Sequence, residues 1–377
     1  MVLKRHPFYN GNMKQNAKTH TKAWIGLSIA FLVLIIAIVF FVGNRGGSSE
    51  VTRRETTLTD LGFDTPITFS ATADEETYNE YLKKVVEIFL QDNQLFDQYN
   101  DYEGVNNVKT LNDKAAAEPV EVDEELITLI QDSEKFMEKN EKFDITEGKL
   151  TALWHEARDA QTPYVPSEED IAAAQKHSGA EAIVIDGNTV SFADDSVKLD
   201  LGAIAKGYTA GKAAEALKEM GLDNGYINAG GNVVLLGEKT DGSDWVIGIQ
   251  SPDEAGSVVQ LKTKEPVCMV TSGDYQRYFE VDGKRYSHII DPDTGYPVEY
   301  MRSVTVIGDD SETCDAESTT LFLMPVKESM EYADKNGIEA VWITDKGDDT
   351  GVEPTYTTDL YDVYVSDGLK DKIQLTK

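Results

Sequence analysis

Asp315, Ser318 and Thr319, in the stretch CDAESTTLF, carry side-chain oxygens at a spacing that suits metal binding. Residues at i, i+3 and i+4 lie on the same side of a helix, so the three oxygens would line one turn. Such hard oxygen ligands suit Mg²⁺ or Ca²⁺, whereas zinc prefers His and Cys ligands. The pattern predicts a divalent-cation site, and an N-capping aspartate followed by two small packing residues is the alternative.

A second candidate is His288, one of five histidines in the chain, in the stretch YSHIIDPDTGYP. The preceding residues YFEVDGKRYSHII predict a hairpin that turns at Asp282 and Gly283 and delivers His288 at the end of a strand. An imidazole, an aspartate and a glycine turn therefore fall within the eight residues from His288 to Gly295. A buried structural histidine that caps this turn is the non-functional alternative.

The stretch KLDLGAIAKGYTAGKAAEALKEMGL passes from a strand through Gly202 into a helix that ends near Gly221. Glycine at such a junction allows a ligand to approach the backbone, and amides at a helix start favour an anion such as a diphosphate. Lys206 would add a positive charge in the first turn. An ordinary strand-to-helix turn is the alternative.

Other polar groups are less specific. Phe143 and Asp144 could stack on and hydrogen-bond a planar ring, although a core phenylalanine with a capping aspartate is commoner. The stretch VTSGDYQRYF could line a ligand cleft or form a β-turn, and the paired glycines of YINAGGN indicate a close backbone approach or a β-bulge. We interpret His155 and His177 as surface residues.

The elements that would hold these groups mix without strict β-α-β alternation, which favours an α+β fold of mixed sheets and helices. Amphipathic helices are predicted from a capping box at Thr72 and Glu75, from Asp123 and from Ser167, with further helices after Leu201, after Asp315 and around Met330. A hairpin is predicted at AIVIDGNTVSF, and strands at WVIGIQ, VVQLK, SVTVIG and AVWIT.

The charge of the chain excludes one class of partner. The formal net charge is −32, yet residues 1–49 hold six Lys or Arg and no acid, which leaves 29 basic and 67 acidic residues in the remainder. A field this negative repels phosphate backbones and argues against nucleic-acid binding.

An apolar stretch near the N-terminus predicts membrane attachment. Residues Ala23–Val42 carry no charge over a length that can cross a bilayer as a helix, and several lysines precede them. The positive-inside rule then leaves residues 1–22 as a cytoplasmic basic tail, 23–43 as a transmembrane anchor, 44–60 as a polar tether and 61–377 as an extracytoplasmic domain. A cleaved signal peptide is the alternative. Cys268 and Cys314 are predicted to be free buried thiols.

Taken in order, the motifs resemble one family. FDIT with LTALW, then LDLGAIAKGY, INAGGN, TSGDYQRYF, HIIDPDTGYP and DAEST resemble the FAD:protein FMN transferases, or ApbE-type flavin transferases, from about Leu61 to Asp345. The resemblance implies Mg²⁺-dependent transfer of FMN from FAD to a threonine or serine hydroxyl of an exported target protein, with release of AMP.

The resemblance also implies roles for individual residues. His288 is expected to be the general base, because an imidazole that titrates near neutrality suits proton abstraction from the acceptor hydroxyl. The metal ligands would be Asp315, Ser318 and Thr319, with the main-chain carbonyl of Ala203. The FAD contacts would be Tyr99, Lys142, Phe143, Asp144, Asp200, Lys206 and Ile290.

Two other functions remain open from sequence. A Mg²⁺-dependent FAD pyrophosphatase, giving FMN and AMP, would need the same residues with water in place of the hydroxyl. A non-catalytic flavin-binding carrier would need neither the metal nor the base.

Overall fold

The computed structural model describes residues 50–175 and 179–376. The predicted basic tail, the predicted membrane segment Ala23–Val42 and His177 therefore lie outside the described residues. Within the described ranges, no helix is both long enough and apolar enough to cross a bilayer. Of these residues, 50–52 and 73–83 belong to a small compact unit, and 53–72 and 84–376 form a large one that holds every site residue discussed below.

Six of the eight helices in the described residues were predicted, the exceptions being the second and fourth, and several helices start at capping side chains. In chain order they are α1 (Glu75–Phe96), α2 (Val108–Lys114), α3 (Glu124–Lys139), α4 (Gly148–Asp159), α5 (Glu168–Ala174), α6 (Ala205–Glu219), α7 (Ser311–Phe322) and α8 (Val326–Asn336). Asp123 and Ser167 cap α3 and α5, as predicted. The cap of α1 is Asp74 rather than Thr72, because its Oδ1 accepts from Thr77 N at 3.1 Å.

The strands form one large sheet and smaller satellites. In chain order they are β1 (Thr52–Leu58), β2 (Ile67–Ala73), β3 (Val120–Glu121), β4 (Ile183–Asp186), β5 (Thr189–Phe192), β6 (Gly225–Ala229), β7 (Asn232–Leu235), β8 (Trp245–Gln250), β9 (Ser257–Thr263), β10 (Cys268–Gly273), β11 (Tyr278–Val281), β12 (Lys284–Ser287), β13 (Ser303–Gly308), β14 (Glu339–Asp345), β15 (Tyr356–Thr357), β16 (Tyr361–Val365) and β17 (Ile373–Leu375).

The nine strands of the main sheet lie in the order β1-β2-β6-β7-β10-β13-β14-β16-β15. The register between β10 and its neighbours β7 and β13 is antiparallel. The paired glycines Gly230 and Gly231 form the two-residue turn between β6 and β7, with φ values of +59° and +99°, as a type I′ hairpin requires. They therefore make a turn and not the β-bulge that the sequence left open.

The predicted polar tether over residues 44–60 includes a strand. Residues Thr52–Leu58 form β1, which lies beside β2 at the edge of the main sheet. Arg53 Nε donates to Ser70 Oγ of β2 at 3.2 Å. The threonines of TRRETTL favour extended backbone because they are β-branched, but the polar composition of this stretch concealed its alternation.

Helix α7 packs against α6 and against β7, β10 and β13 of the main sheet. It starts at Ser311, and Asp310 is its N-cap because the Asp310 carboxylate accepts from Thr313 N at 2.7 Å. Asp315 therefore lies one turn inside the helix, so it is not the capping residue that the sequence offered as an alternative. This packing brings α6, α7 and the end of β10 together.

Candidate active site

Helices α6 and α7 approach each other closely at Gly207. A Cβ at this position would lie 2.4 Å from the Ser311 carbonyl oxygen and 2.6 Å from the Asp315 Cβ, so a larger residue does not fit without movement of the backbone. Gly207 N donates to Asp315 Oδ2 at 2.7 Å. Gly207 is the third residue of α6, so its N–H belongs to the first turn and has no partner within the helix. The contact fixes the Asp315 carboxylate and satisfies this N–H.

The Asp315 carboxylate is almost completely buried, with 3% of the residue exposed. Burial raises its pKa, while the positive charge of Lys206, the Gly207 N–H and the amide of Asn232 oppose the rise. A buried carboxylate with so few compensating groups is costly when ionised, and a bound cation would remove that cost.

Ser318 and Thr319 lie on the same turn as Asp315, but their hydroxyl groups differ. Ser318 is fully buried, and its hydroxyl donates to the Asp315 carbonyl oxygen at 2.9 Å and lies 2.8 Å from Ser272 Oγ. Thr319 is partly exposed, and its Oγ1 lies 3.4 Å from Ser272 Oγ. The proton of Ser318 is used inside its own helix, but each hydroxyl oxygen keeps lone pairs, so both Ser318 and Thr319 can serve as cation ligands.

The oxygen donors of this turn fit a hard cation. Among residues 50–175 and 179–376, no group of three or more His, Cys, Asp or Glu side chains is placed to hold a metal ion. A cation at the turn would bind one carboxylate, a hydroxyl and a main-chain carbonyl, which are ligands that Mg²⁺ and Ca²⁺ accept and zinc does not favour.

His288 follows the β11–β12 hairpin, whose turn has positive φ at both Asp282 and Gly283, as predicted. Its main-chain N and its ring Nδ1 both lie close to the carbonyl oxygen of Arg277, at 3.1 and 3.2 Å. A carbonyl oxygen can only accept, so Nδ1 carries the proton in the neutral ring. The lone pair is then on Nε2, which is free to accept a proton.

The pKa of His288 is lowered to about 3, first by burial and then by the positive charges of Arg277 and Lys206. This lowered pKa runs against the expectation that the imidazole titrates near neutrality. The ring is neutral at physiological pH, which is the form a general base needs, although a depressed pKa also makes it a weaker base. A bound diphosphate would oppose the effect of the two cations.

A cleft of about 740 Å³ is lined by two aromatic rings, a histidine and two arginines, together with acidic side chains. Tyr99 is 51% exposed, its hydroxyl lies 2.6 Å from His155 Nδ1, and the two rings are stacked with centroids 6.0 Å apart. Burial and Arg158 lower the pKa of His155, so this histidine is neutral and can accept from the tyrosine. Tyr99 is thus held at the cleft, where a ligand can reach its ring.

Asp200 lies at the predicted strand-to-helix turn. Its Oδ2 accepts from Thr151 Oγ1 and its Oδ1 from Gly202 N, each at 2.8 Å. Lys206 Nζ donates to the Gly202 carbonyl oxygen at 3.0 Å. These bonds connect the start of α6 to α4, the helix that also carries His155.

Lys206 is close enough to influence both halves of the site. Its positive charge lowers the pKa of Asp315 and that of His288. The lysine is therefore within electrostatic reach of the candidate metal turn and of the candidate base.

Lys142 joins the segment before α4 to the turn that follows His288. Its Nζ contacts Asp291 Oδ1 at 2.7 Å and Asp293 Oδ2 at 2.6 Å. Asp144 Oδ1 accepts from Thr146 N at 2.7 Å, and burial raises its pKa. The structure brings Lys142 and Asp144 into one charged cluster, but Lys142 is already paired with carboxylates.

Two of the predicted FAD contacts have side chains in the core. Phe143 is 2% exposed and packs against Phe136, with ring centroids 5.7 Å apart. Ile290 is 7% exposed and lies in a cluster with Leu150 and Trp154. The interpretation of Phe143 as a ring that stacks on a ligand is wrong, because Phe143 is the core phenylalanine that the sequence offered as the alternative. Only the main chain of Phe143 and Ile290 could contact a ligand.

The sequence interpretation missed several residues of the site. His155 was expected on the surface, but it is held against Tyr99 in the cleft. Arg277 and Ser272 lie in the stretch VTSGDYQRYF, for which the sequence allows a ligand cleft or a β-turn. Arg277 contacts His288, and Ser272 contacts Ser318. Their motif was visible, yet the partners are more than ten residues away in sequence and could not be read from spacing.

Fold and site together define an α+β protein with a buried carboxylate on a helical turn, a lysine at the start of the neighbouring helix, a neutral histidine and a ligand cleft. Comparison with known proteins gives the family. The chain matches the family model of the ApbE family over residues 63–342. It is 32% identical over 280 residues to an FAD:protein FMN transferase of Vibrio cholerae, covering 73% of this chain and 82% of that one. The same name is carried by a Klebsiella pneumoniae protein that is 34% identical over 265 residues, covering 68% and 81% of the two chains.

Solved structures agree with this result. An ApbE protein from Thermotoga maritima has a TM-score of 0.69 at 33% identity and covers 77% of this chain and 94% of its own. The flavin transferase ApbE from Vibrio cholerae has a TM-score of 0.70 at 27% identity and covers 86% and 100%. The chain belongs to the ApbE family.

Proposed function

We propose that this protein is a transferase that moves FMN from FAD to the hydroxyl group of a threonine or serine in a target protein and releases AMP. The observation that carries the proposal is the buried Asp315 carboxylate, which the Gly207 N–H holds on the helical turn that also carries Ser318 and Thr319. The names of the family relatives, FAD:protein FMN transferase, give the substrate and the transferred group.

The reaction requires one bond to form, one to break and one proton to move. The acceptor oxygen attacks the phosphorus on the FMN side of the FAD diphosphate, and the bond from that phosphorus to the bridging oxygen breaks. AMP leaves with the bridging oxygen, and the acceptor is left as a phosphoester. The hydroxyl proton goes to His288 Nε2, which is unprotonated because Nδ1 donates to the Arg277 carbonyl.

The developing negative charge on the phosphates must be balanced locally, because the protein as a whole is strongly acidic. Lys206 at the start of α6 supplies a positive side chain next to helix amides. We further propose a Mg²⁺ requirement, with Asp315, Ser318, Thr319 and the Ala203 carbonyl as ligands. When bound, such an ion neutralises phosphate oxygens.

For the flavin, we propose that Tyr99 contacts the ring system and that Asp200 and Asp144 contact polar groups of FAD. Tyr99 is supported by its exposed ring, which His155 holds at the cleft. Lys142 would have to exchange one of its carboxylate partners for the ligand. Phe143 and Ile290 would contact FAD only through their main chain.

We also propose that the enzyme works on exported proteins from the outer face of a membrane, to which Ala23–Val42 anchors it as a single span. The support is the length of the uncharged stretch and the lysines that precede it. The proposed layout is a basic tail over residues 1–22, an anchor over 23–43, a linker that ends at β1 and a transferase domain beyond it. Membrane fractionation of cells, with added protease outside, tests the orientation: a protected catalytic domain would contradict it.

The test of activity is to incubate the full-length protein with FAD, Mg²⁺ and a threonine-bearing exported protein, and to follow both protein and flavin by mass spectrometry. FMN attached covalently to the target supports transfer. Free FMN without labelled target would indicate the pyrophosphatase, and unchanged FAD would indicate the carrier.

One variant and one chelator treatment separate the roles in this assay. His288→Ala is expected to abolish transfer while FAD still binds, because the ring accepts a proton and does not hold the diphosphate. A chelator such as EDTA is expected to stop transfer by the wild type, and full activity in its presence would contradict the proposed metal.

A further inference from the structure

We propose that Arg277 is a positioning residue that connects the candidate base to the wall of the cleft, an inference that rests on the role proposed for His288. Its main chain fixes the histidine, and its side chain holds the strained residues Phe63 and Asp64. Neither role was visible in the sequence, where Arg277 is one polar residue in TSGDYQRYF.

The main-chain part of the proposal stands on two bonds to one atom. The Arg277 carbonyl oxygen accepts from His288 N at 3.1 Å and lies 3.2 Å from His288 Nδ1. The first bond fixes the backbone of His288, and the second sets both the rotation of the ring and its tautomer. A shift of Arg277 would therefore move the nitrogen that accepts the proton.

The side-chain part stands on a loop with unusual backbone angles. Phe63 and Asp64 have φ values of +56° and +51°, a region that residues other than glycine rarely adopt. Arg277 Nη2 donates to both of their carbonyl oxygens, at 3.3 and 3.2 Å, and Asn93 Oδ1 accepts from Phe63 N at 3.0 Å. Strained backbone persists only where its surroundings hold it, and it is commonly found at functional sites.

This loop is part of the ligand cleft. Asp64 lines the cleft beside Tyr99 and Arg277. The adjacent Thr65 covers the β6–β7 turn, since a Cβ on Gly230 would lie 2.0 Å from Thr65 Oγ1. Arg277 thus connects one wall of the cleft with His288.

The guanidinium also contributes charge. Burial lowers the pKa of His288 most, and the charged and titratable groups that lower it further are Arg277, Lys206 and His155. Arg277 contacts the histidine through its main chain and donates to the strained loop through its side chain, so replacing the side chain should change both the charge near the ring and the hold on the loop.

The experiment uses the full-length protein and two variants. Arg277→Met removes the charge and the donors, whereas Arg277→Lys keeps the charge but loses the planar fork that reaches both carbonyls. Titration of the histidine ring signals by NMR reports on the base, with His288 assigned from a His288→Gln sample. Hydrogen exchange of the peptide around residues 62–66 reports on the loop.

In Arg277→Met we expect the protonated fraction of His288 at about pH 5 to rise at least about threefold, the effect of roughly half a pKa unit. In Arg277→Lys we expect this fraction to stay at the wild-type level. Both variants are expected to exchange the loop amides at least about tenfold faster.

Two results would overturn the proposal. One is a folded Arg277→Lys protein whose loop amides exchange at the wild-type rate. This result would contradict the proposal even if Arg277→Met does not fold. The other is an unchanged His288 titration in folded Arg277→Met. A wild-type protein that transfers no FMN would refute the proposed function instead, and both measurements would still report on Arg277.

Discussion

Replacing Gly207 with alanine tests whether the contact between α6 and α7 builds the candidate metal turn. The added Cβ would meet the Ser311 carbonyl oxygen at 2.4 Å, the Asp315 Cβ at 2.6 Å and the Glu312 Cα at 3.0 Å, and none of these atoms can rotate away. Overpacking of this kind costs about 1–3 kcal/mol. Loss of the bond from Gly207 N to the Asp315 carboxylate costs about 1.5–3 kcal/mol more, and alanine regains about 1 kcal/mol of helix propensity.

The expected result is therefore a loss of about 1.5–5 kcal/mol in the free energy of unfolding. The Mg²⁺ concentration for half-maximal transfer should rise, because Asp315 is displaced. The matched control is Gly211→Ala, one helical turn further along, where the new Cβ would lie 3.5 Å from the Ser311 Cβ in ordinary contact. Urea denaturation of both variants decides the matter: if Gly207→Ala is as stable as Gly211→Ala and needs no more Mg²⁺, the close approach does not build the turn.

Three further predictions concern single groups. Asp315→Asn keeps an oxygen for the Gly207 N–H but removes the charge. The rate of transfer should then no longer depend on the Mg²⁺ concentration, while the free energy of unfolding changes little. An unaltered dependence on Mg²⁺ would exclude Asp315 as a ligand. Glu147 is 8% exposed, and burial and the charges of neighbouring aspartates raise its pKa to about 8. The folded state then holds a proton that the unfolded state releases above its ordinary pKa, so the free energy of unfolding should fall as pH rises from about 4.5 to 8. Glu147→Gln should therefore be more stable than the wild type by about 2–4 kcal/mol at pH 8 but not at pH 4.5. Unfolding curves at the two pH values check this. Tyr99→Phe removes a neutral hydrogen bond of about 0.5–1.5 kcal/mol, so the KM for FAD should rise by no more than about tenfold; a larger rise would give the hydroxyl a direct role.

The fold was largely predictable because its signals are local. The caps Asp123 and Ser167, the Asp-Gly turn at Asp282 and the apolar alternation of the central strands each act within a few residues. Helices α2 and α4 and strands β2, β10 and β16 were not predicted. Another exception is β1, whose polar sequence gives no apolar face and whose partner β2 stabilises it as an edge strand.

The site was predictable only in part, because its geometry depends on contacts between distant segments. The spacing of Asp315 and Thr319 along one turn is local and was read correctly as helical. The burial of Phe143 is not local, because it depends on the packing of α3 against the segment that carries Phe143. The same holds for His155, which looks like a surface residue until Tyr99, 56 positions away, is brought against it.

The charge of the site resolves an apparent conflict between this protein and its ligand. A domain with a strongly negative field should repel a diphosphate, yet Arg158 and Arg277 line the cleft and Lys206 lies at the start of α6. These cations act at short range inside a partly buried site, where screening is weak, whereas the acidic surface charges act through water and salt. Burial is the main cause of the low pKa of His288, and Arg277 and Lys206, which would attract the phosphates, lower this pKa further. Raising the salt concentration should therefore weaken the repulsion by the surface more than the attraction within the cleft, and the affinity for FAD should hold or rise between low and moderate salt. Steady weakening of FAD binding with added salt would show that exposed charges, and not the buried set, control the ligand.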